Sequence, residues 1–228
     1  IKRRLGNQAG TGTSLNRIGM ILARRGRYDE ALRRYEESLD ITRKLEYQAG
    51  IAANLNNIGF IHSKQGRYDE ALRRYEESLA INRRLGNQAG IAATLSNIGV
   101  IHMNQGRYDE ALRRYEESLA INHRLGNQAV IATTLNNIGA VHRQQGRYDE
   151  ALRRYEESLA INRKLGNQAV IATTLNNIGA IHNKQGRYDD AMRRFEESLG
   201  ITRRLRDQAG IATTLNNIGA VHRQQGRY

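Results

Sequence analysis

Between Gln88 and Leu125 the apolar positions fall in two stripes. Ile91, Leu95, Ile98 and His102 recur at steps of three and four with Gly99 among them, which is helical spacing. After a stop at Gly106, a second stripe follows: Tyr108, Ala111, Leu112, Tyr115, Leu119 and Leu125. The pattern predicts two antiparallel helices of about 16–18 residues, roughly 25 Å long. Gly106 suits the left-handed conformation that ends a helix. Asp109 and Glu110 stand in the first turn of the second helix, where the macrodipole favours anions. Asp109–Arg113, Glu110–Arg114 and Arg113–Glu117 are expected to pair at i,i+4. The second helix is expected to end at Leu125 and Gly126, with Asn127 capping the next. Asn7, Asn87, Asn167 and Asp207 are caps at the same place in other repeats, and Tyr47 is the exception.

The pattern is periodic. Gly-Arg-Tyr-Asp begins at Gly26, Gly66, Gly106, Gly146 and Gly186, a spacing of 40 residues. A fixed period of this length marks a repeat array in which each unit buries its apolar face on its neighbours. One array over residues 1–228 is expected, with repeats at about 8–47, 48–87, 88–127, 128–167 and 168–207. Residues 1–5 then end a preceding second helix, and 208–228 form an orphan first helix.

Leu95-x-x-Ile98-Gly99-x-x-His102-x-x-x-Gly106-x-Tyr108-x-x-Ala111-x-x-x-Tyr115-x-x-Ser118-Leu119 resembles the tetratricopeptide repeat signature, once per unit along the whole chain. Most such repeats are shorter and close the second helix with proline, and this chain has no proline. In its longer unit it is similar to the repeats of kinesin light chains and of arrays attached to bacterial signalling proteins. The resemblance implies an all-α fold: a right-handed superhelical solenoid of antiparallel helix pairs. It also implies a non-enzymatic interaction scaffold, with the first helices lining a concave groove.

Composition adds exclusions. The chain is 39% apolar and 26% charged, which is compatible with folding. It has no cysteine, which removes disulfides and thiolate metal sites. No apolar run reaches the roughly 20 residues a spanning helix needs; an intracellular, cytoplasmic protein with no membrane partner is the expectation. The net charge of +13 invites a polyanion reading. Each unit nonetheless carries a nearly self-neutralising Asp-Glu-x-x-Arg-Arg-x-Glu-Glu block, and no aromatic row offers base stacking, so the surplus reads as a solvated face and nucleic acid is not expected.

With Leu55 at the centre of the buried stripe, Ile58, Gly59 and His62 lie within about 60° of it on a helical wheel. Asn56, Phe60, Ala53, Ser63 and Lys64 form a second stripe and Asn57 follows. This stripe is expected to face the groove. There the site of Met20, Phe60 and Val100 becomes Ala140, Ala180 and Ala220, so the C-terminal half is more open. Either this asymmetry sets the register of an extended peptide or it is drift at unconstrained positions. Two asparagine rows are the sharper feature: Asn16, Asn56, Asn136, Asn176 and Asn216, and Asn57, Asn97, Asn137, Asn177 and Asn217, with Arg17 leading the second row. An amide offers both donor and acceptor and suits a peptide backbone. The resemblance assigns peptide contact to the second row. The alternative is an asparagine ladder between adjacent helices.

His62, His102, His142, His182 and His222 read as packing positions, because Leu22 fills the same place and neighbouring repeats are too far apart to share a metal. Phe195 in the Tyr35, Tyr75, Tyr115, Tyr155 series makes the hydroxyl dispensable. No nucleophile–base constellation or phosphate loop occurs, and no metal or cofactor is expected. The expected function is binding of a peptide or partner segment, acidic in character, in a groove lined by Asn16, Arg17, Asn56, Asn57, Phe60, Lys64, Asn97, Asn136, Asn137, Asn176, Asn177, Asn216 and Asn217. The alternative is an array that stacks end to end through uncapped termini.

Overall fold

The structure is a computed structural model that describes residues 2–226, with side chains from Gln8 onward. The described residues form eleven helices and no strand: α1 (Lys2–Arg24), α2 (Tyr28–Lys44), α3 (Gln48–Lys64), α4 (Tyr68–Arg84), α5 (Gln88–Asn104), α6 (Tyr108–Leu125), α7 (Gln128–Gln144), α8 (Tyr148–Leu165), α9 (Gln168–Lys184), α10 (Tyr188–Leu205) and α11 (Gln208–Gln224). No described helix is long and apolar enough to cross a membrane. The chain divides into two compact units, residues 1–121 and 122–228.

In each unit an odd-numbered helix pairs with the even-numbered helix that follows. What holds a pair is a ring set on a glycine. Tyr75 is 2% exposed against Gly59, and a Cβ on Gly59 would stand 2.8 Å from Cε1 of the ring. Tyr35 on Gly19, Tyr115 on Gly99, Tyr155 on Gly139 and Phe195 on Gly179 repeat the contact. Glycine is therefore fixed here by close approach, because a methyl group would have to displace a buried ring. Beside each ring a serine crosses the same gap. Ser38, Ser78, Ser118, Ser158 and Ser198 donate to the carbonyls of Gly12, Ala52, Ala92, Ala132 and Ala172 at 2.7–2.9 Å. Each such bond is worth on the order of 1 kcal/mol, and its loss would leave a buried hydroxyl or carbonyl unpaired. The predicted core stripe is buried, with Leu55 at 0% and Ile58 at 1% exposure.

The helix stops follow the expected chemistry with three differences. Gly106 has φ +73°, and the αL position that Gly86, Gly126 and Gly166 fill elsewhere is held by Glu46 (φ 53°) and Arg206 (φ 56°) at two joints. Asn87, Asn127 and Asp207 accept cap bonds from Gly90, Val130 and Gly210 N–H, whereas Asn167 makes no side-chain cap bond and Tyr47 none. Near the start, α1 runs through Gly6 and Asn7 as one helix, so the break expected after residue 5 is absent from the backbone. A glycine inside a helix costs only about 1 kcal/mol, and continuing α1 through Gly6 keeps the backbone hydrogen bonds on both sides of it.

The ion pairs also differ from expectation. They close at i,i+3, Glu110 to Arg113 and Arg114 to Glu117, rather than at i,i+4. Others link successive second helices, Arg43–Glu77 and Arg83–Glu117 in the first unit and Arg163–Glu197 in the second. A long guanidinium reaches the neighbouring helix as readily as its own next turn. Exposed pairs of this kind contribute little to stability.

Candidate groove sites

The asparagine rows do different things. In unit 1, Asn16 Nδ2 donates to Asn54 Oδ1 at 2.7 Å, and Asn56 Oδ1 accepts from Asn97 Nδ2 at 3.1 Å and from Thr94 Oγ1 at 3.4 Å. In unit 2, Asn136 Oδ1 accepts from Thr174 Oγ1 at 3.3 Å. Asn176 Nδ2 donates to Ser198 Oγ and Thr214 Oγ1, both at 2.8 Å, and its Oδ1 accepts from Asn217 Nδ2 at 3.4 Å. The amides of Asn16, Asn56, Asn136 and Asn176 in the first row are thus engaged in a ladder between successive first helices. Asn97 and Asn217 of the second row spend their Nδ2 groups on the same ladder. Asn57, Asn137 and Asn177 are half-buried, and among the described residues their amides have no hydrogen-bond partner. Asn216 is exposed on α11.

Phe60 is 38% exposed with Lys64 Nζ 5.3 Å from its ring centroid, a cation–π contact on the same helix face. Arg17 and Met20 are exposed on α1. Thr133, Thr173 and Thr213 lie open on the corresponding face of unit 2, each returning its hydroxyl proton to the carbonyl four residues earlier.

A cavity opens at the same register in each unit. In unit 1 it holds about 330 Å³ and is lined among others by Asn16, Arg17, Met20, Thr42, Leu45 and Tyr47. In unit 2 it holds about 410 Å³, with Asn176, Asn177, Ala180, Thr202, Leu205 and Asp207 in the corresponding places. Reading the sequence alone misses why these joints differ. Thr42 and Thr202 stand where Asn82, Asn122 and Asn162 stand elsewhere. At one such joint Asn82 extends into the space, its Oδ1 accepting from Asn87 Nδ2 at 2.8 Å. Both side chains bond back to their own helix, Asn82 Nδ2 to the Ser78 carbonyl and Thr42 Oγ1 to the Ser38 and Leu39 carbonyls, but the shorter threonine has no amide to reach the joint. The signal is present in the chain as a joint change of three positions, Thr42-Glu46-Tyr47 and Thr202-Arg206-Asp207.

The histidines sit in the core wall. His62, His102, His142 and His182 are 7–9% exposed. Burial first, and then the nearby guanidinium groups of Arg67, Arg107 and Arg187, hold His62, His102 and His182 below the usual imidazole value. Among the described residues no group of three or more histidine or carboxylate side chains is placed to hold a metal.

A family model described as tetratricopeptide repeat matches residues 10–84, 90–164 and 170–228. No curated protein matches. Among solved structures, BtubC (BKLC) from P. vanneervenii is 23% identical over 88% of this chain and 85% of its own, with a TM-score of 0.77. A Rap protein complexed with Competence and Sporulation Factor is 15% identical, with 93% of this chain and 63% of that one covered and a TM-score of 0.78. A putative kinesin light chain of Podosopora anserina with nearly identical TPR-like repeats is 16% identical, with 86% and 97% covered and a TM-score of 0.68. At these identities the likeness is one of fold.

Proposed function

The chain belongs to the tetratricopeptide repeat family, and on that premise we propose that it is a non-enzymatic scaffold holding an extended peptide segment on the face of its first helices. The carrying observation is the recurrence of unspent amides, Asn57, Asn137 and Asn177, at one register of the first helices, with Asn177 lining the cavity of about 410 Å³. An amide with both a donor and an acceptor free is suited to a peptide unit, and it binds without reading side chains. The engaged row, Asn16, Asn56, Asn136 and Asn176, then fixes the helices that present the free row. Arg17, Phe60, Lys64, Asn97, Asn216 and Asn217 complete the face. The net charge of +13 favours a partner acidic overall. The Rap protein complexed with a factor on a similar fold supports the reading by analogy only. A cytoplasmic setting and a single array through both units belong to the same proposal.

The test is the double variant Asn137→Ala/Asn177→Ala on a peptide array. It should bind its peptides at least about tenfold more weakly, the worth of one to two lost hydrogen bonds, with an unchanged melting temperature. Unchanged binding would remove the clamp. A second reading, end-to-end stacking, is favoured by the open outer faces: Ile18 and Ile21 of α1 are 44% and 52% exposed, and Leu215 of α11 is 46% exposed. Light scattering over a concentration series decides it, a constant monomer mass counting against stacking.

A further inference from the structure

We propose that the cavity of unit 2 selects a dipolar peptide, taking a cationic side chain at Asp207 and an anionic one at Arg143. This rests on the groove reading and adds a charge polarity to it.

The cavity runs along α9 from Ala169 to Ala180, about 16 Å at the helical rise. Its two ends carry opposite charges. α10 runs antiparallel to α9, so the joint that follows it places Asp207 level with the start of α9. Arg143 lies at the end of α7, beside Ala180, with which it also lines the adjoining cavity of about 430 Å³. Neither group is in an ion pair among the described residues. Between them stand the amides of Asn176, Asn177 and Asn217 over small side chains. An extended chain advances about 3.3 Å per residue, so side chains four positions apart reach both ends.

The carboxylate is more than the cap requires. Asp207 Oδ1 accepts from Gly210 N–H at 3.0 Å, and Asn87 makes the equivalent bond to Gly90 N–H at 3.1 Å with a neutral amide. Three other joints carry asparagine at this position. The charge of Asp207 is thus spare, set into a cavity on a strongly basic chain. The equivalent cavity of unit 1 has Tyr47 in its place and Arg17 for Asn177, so it lacks the anionic end.

The experiment uses the full chain and two blocked peptide libraries, acetylated and amidated, Lys-X-X-X-Glu and Glu-X-X-X-Glu with X randomised, titrated by fluorescence and NMR. Net charge alone would make the basic protein prefer the doubly acidic library. The proposal requires the dipolar library to bind about tenfold more tightly, as one charge-assisted hydrogen bond would give. Asp207→Asn, which keeps the cap, should leave the melting temperature unchanged and abolish or reverse the preference. A wild-type preference for the acidic library, equal binding, or a preference that survives Asp207→Asn overturns the inference. If binding in any of those cases is lost in Asn177→Ala, the groove reading stands without it. No binding of either library at millimolar concentration overturns both.

Discussion

The sharpest stability test is the removal of two hydroxyl groups. Tyr115 and Tyr155 are fully buried, and among the described residues the hydroxyl of each has no hydrogen-bond partner. Burial pushes the Tyr155 phenol up to about 12, the mark of an environment hostile to charge. Phe195 occupies the same place in a later repeat, 1% exposed, and sets its ring on Gly179 as closely as Tyr115 does on Gly99, since a Cβ on either glycine would stand 2.7 Å from the ring Cε1. Tyr115→Phe and Tyr155→Phe therefore keep the ring contact and delete an orphaned polar group. An unsatisfied buried hydroxyl costs about 1–3 kcal/mol. Lost packing at the vacated atom offsets part of that, so a gain of about 1 kcal/mol per substitution is expected. For a chain of this size that is a rise of about 2–4 °C in melting temperature. Urea unfolding should show a higher midpoint at unchanged slope. Tyr75→Phe is the control, since its hydroxyl is not among the sealed ones, and should change little. Destabilisation of either variant by about 0.5 kcal/mol or more would mean the hydroxyl is satisfied, and the argument from Phe195 would fail.

Three further outcomes follow from the same packing. Gly99→Ala puts a methyl 2.7 Å from the Tyr115 ring and should cost about 1–3 kcal/mol, whereas Gly219→Ala, whose nearest neighbour is Arg223 Nη1 at 3.8 Å, should stabilise by up to about 1 kcal/mol; thermal melts compare them. Glu46→Gly and Arg206→Gly relieve the left-handed positions at φ 53° and 56° and should each stabilise by roughly 1 kcal/mol in denaturant titration. Because His62, His102 and His182 titrate below the usual 6.5, the unfolded chain binds more protons than the folded one as pH falls through that value. Their contribution is complete above about pH 6.5 and lost below it, so the melting temperature should drop between about pH 7 and 5. The triple His→Leu variant, patterned on Leu22, should flatten that slope; an equal slope would place the acid sensitivity elsewhere.

Much of the fold is legible in the chain because its determinants are local and repeated. Gly106 and Asn127 act on their own helix ends, and Leu55 and Ile58 lie on the face the wheel assigns to them. Local reading fails where a side chain chooses between alternatives on its own helix or the next. Spacing alone pairs Arg114 with Glu110, whereas in the structure it pairs with Glu117. The Ser78 bond to the Ala52 carbonyl crosses 26 residues, and nothing in its own helix announces it. On the first helices, the sequence marks two asparagine rows but not which of their amides are spent between helices.

Helix positions, their glycine and amide stops, the buried stripe and the 40-residue beat are determined by the chain itself, since each depends on residues within a few turns of one another. Tertiary structure alone decides which amides are spent. Asn56 and Asn57 are the same residue one position apart, but a rotation of about 100° aims one at the next helix and leaves the other open. That choice depends on contacts such as Asn97 to Asn56, 41 residues apart. It is set by how closely one pair of helices settles on the next, a distance that no local pattern encodes.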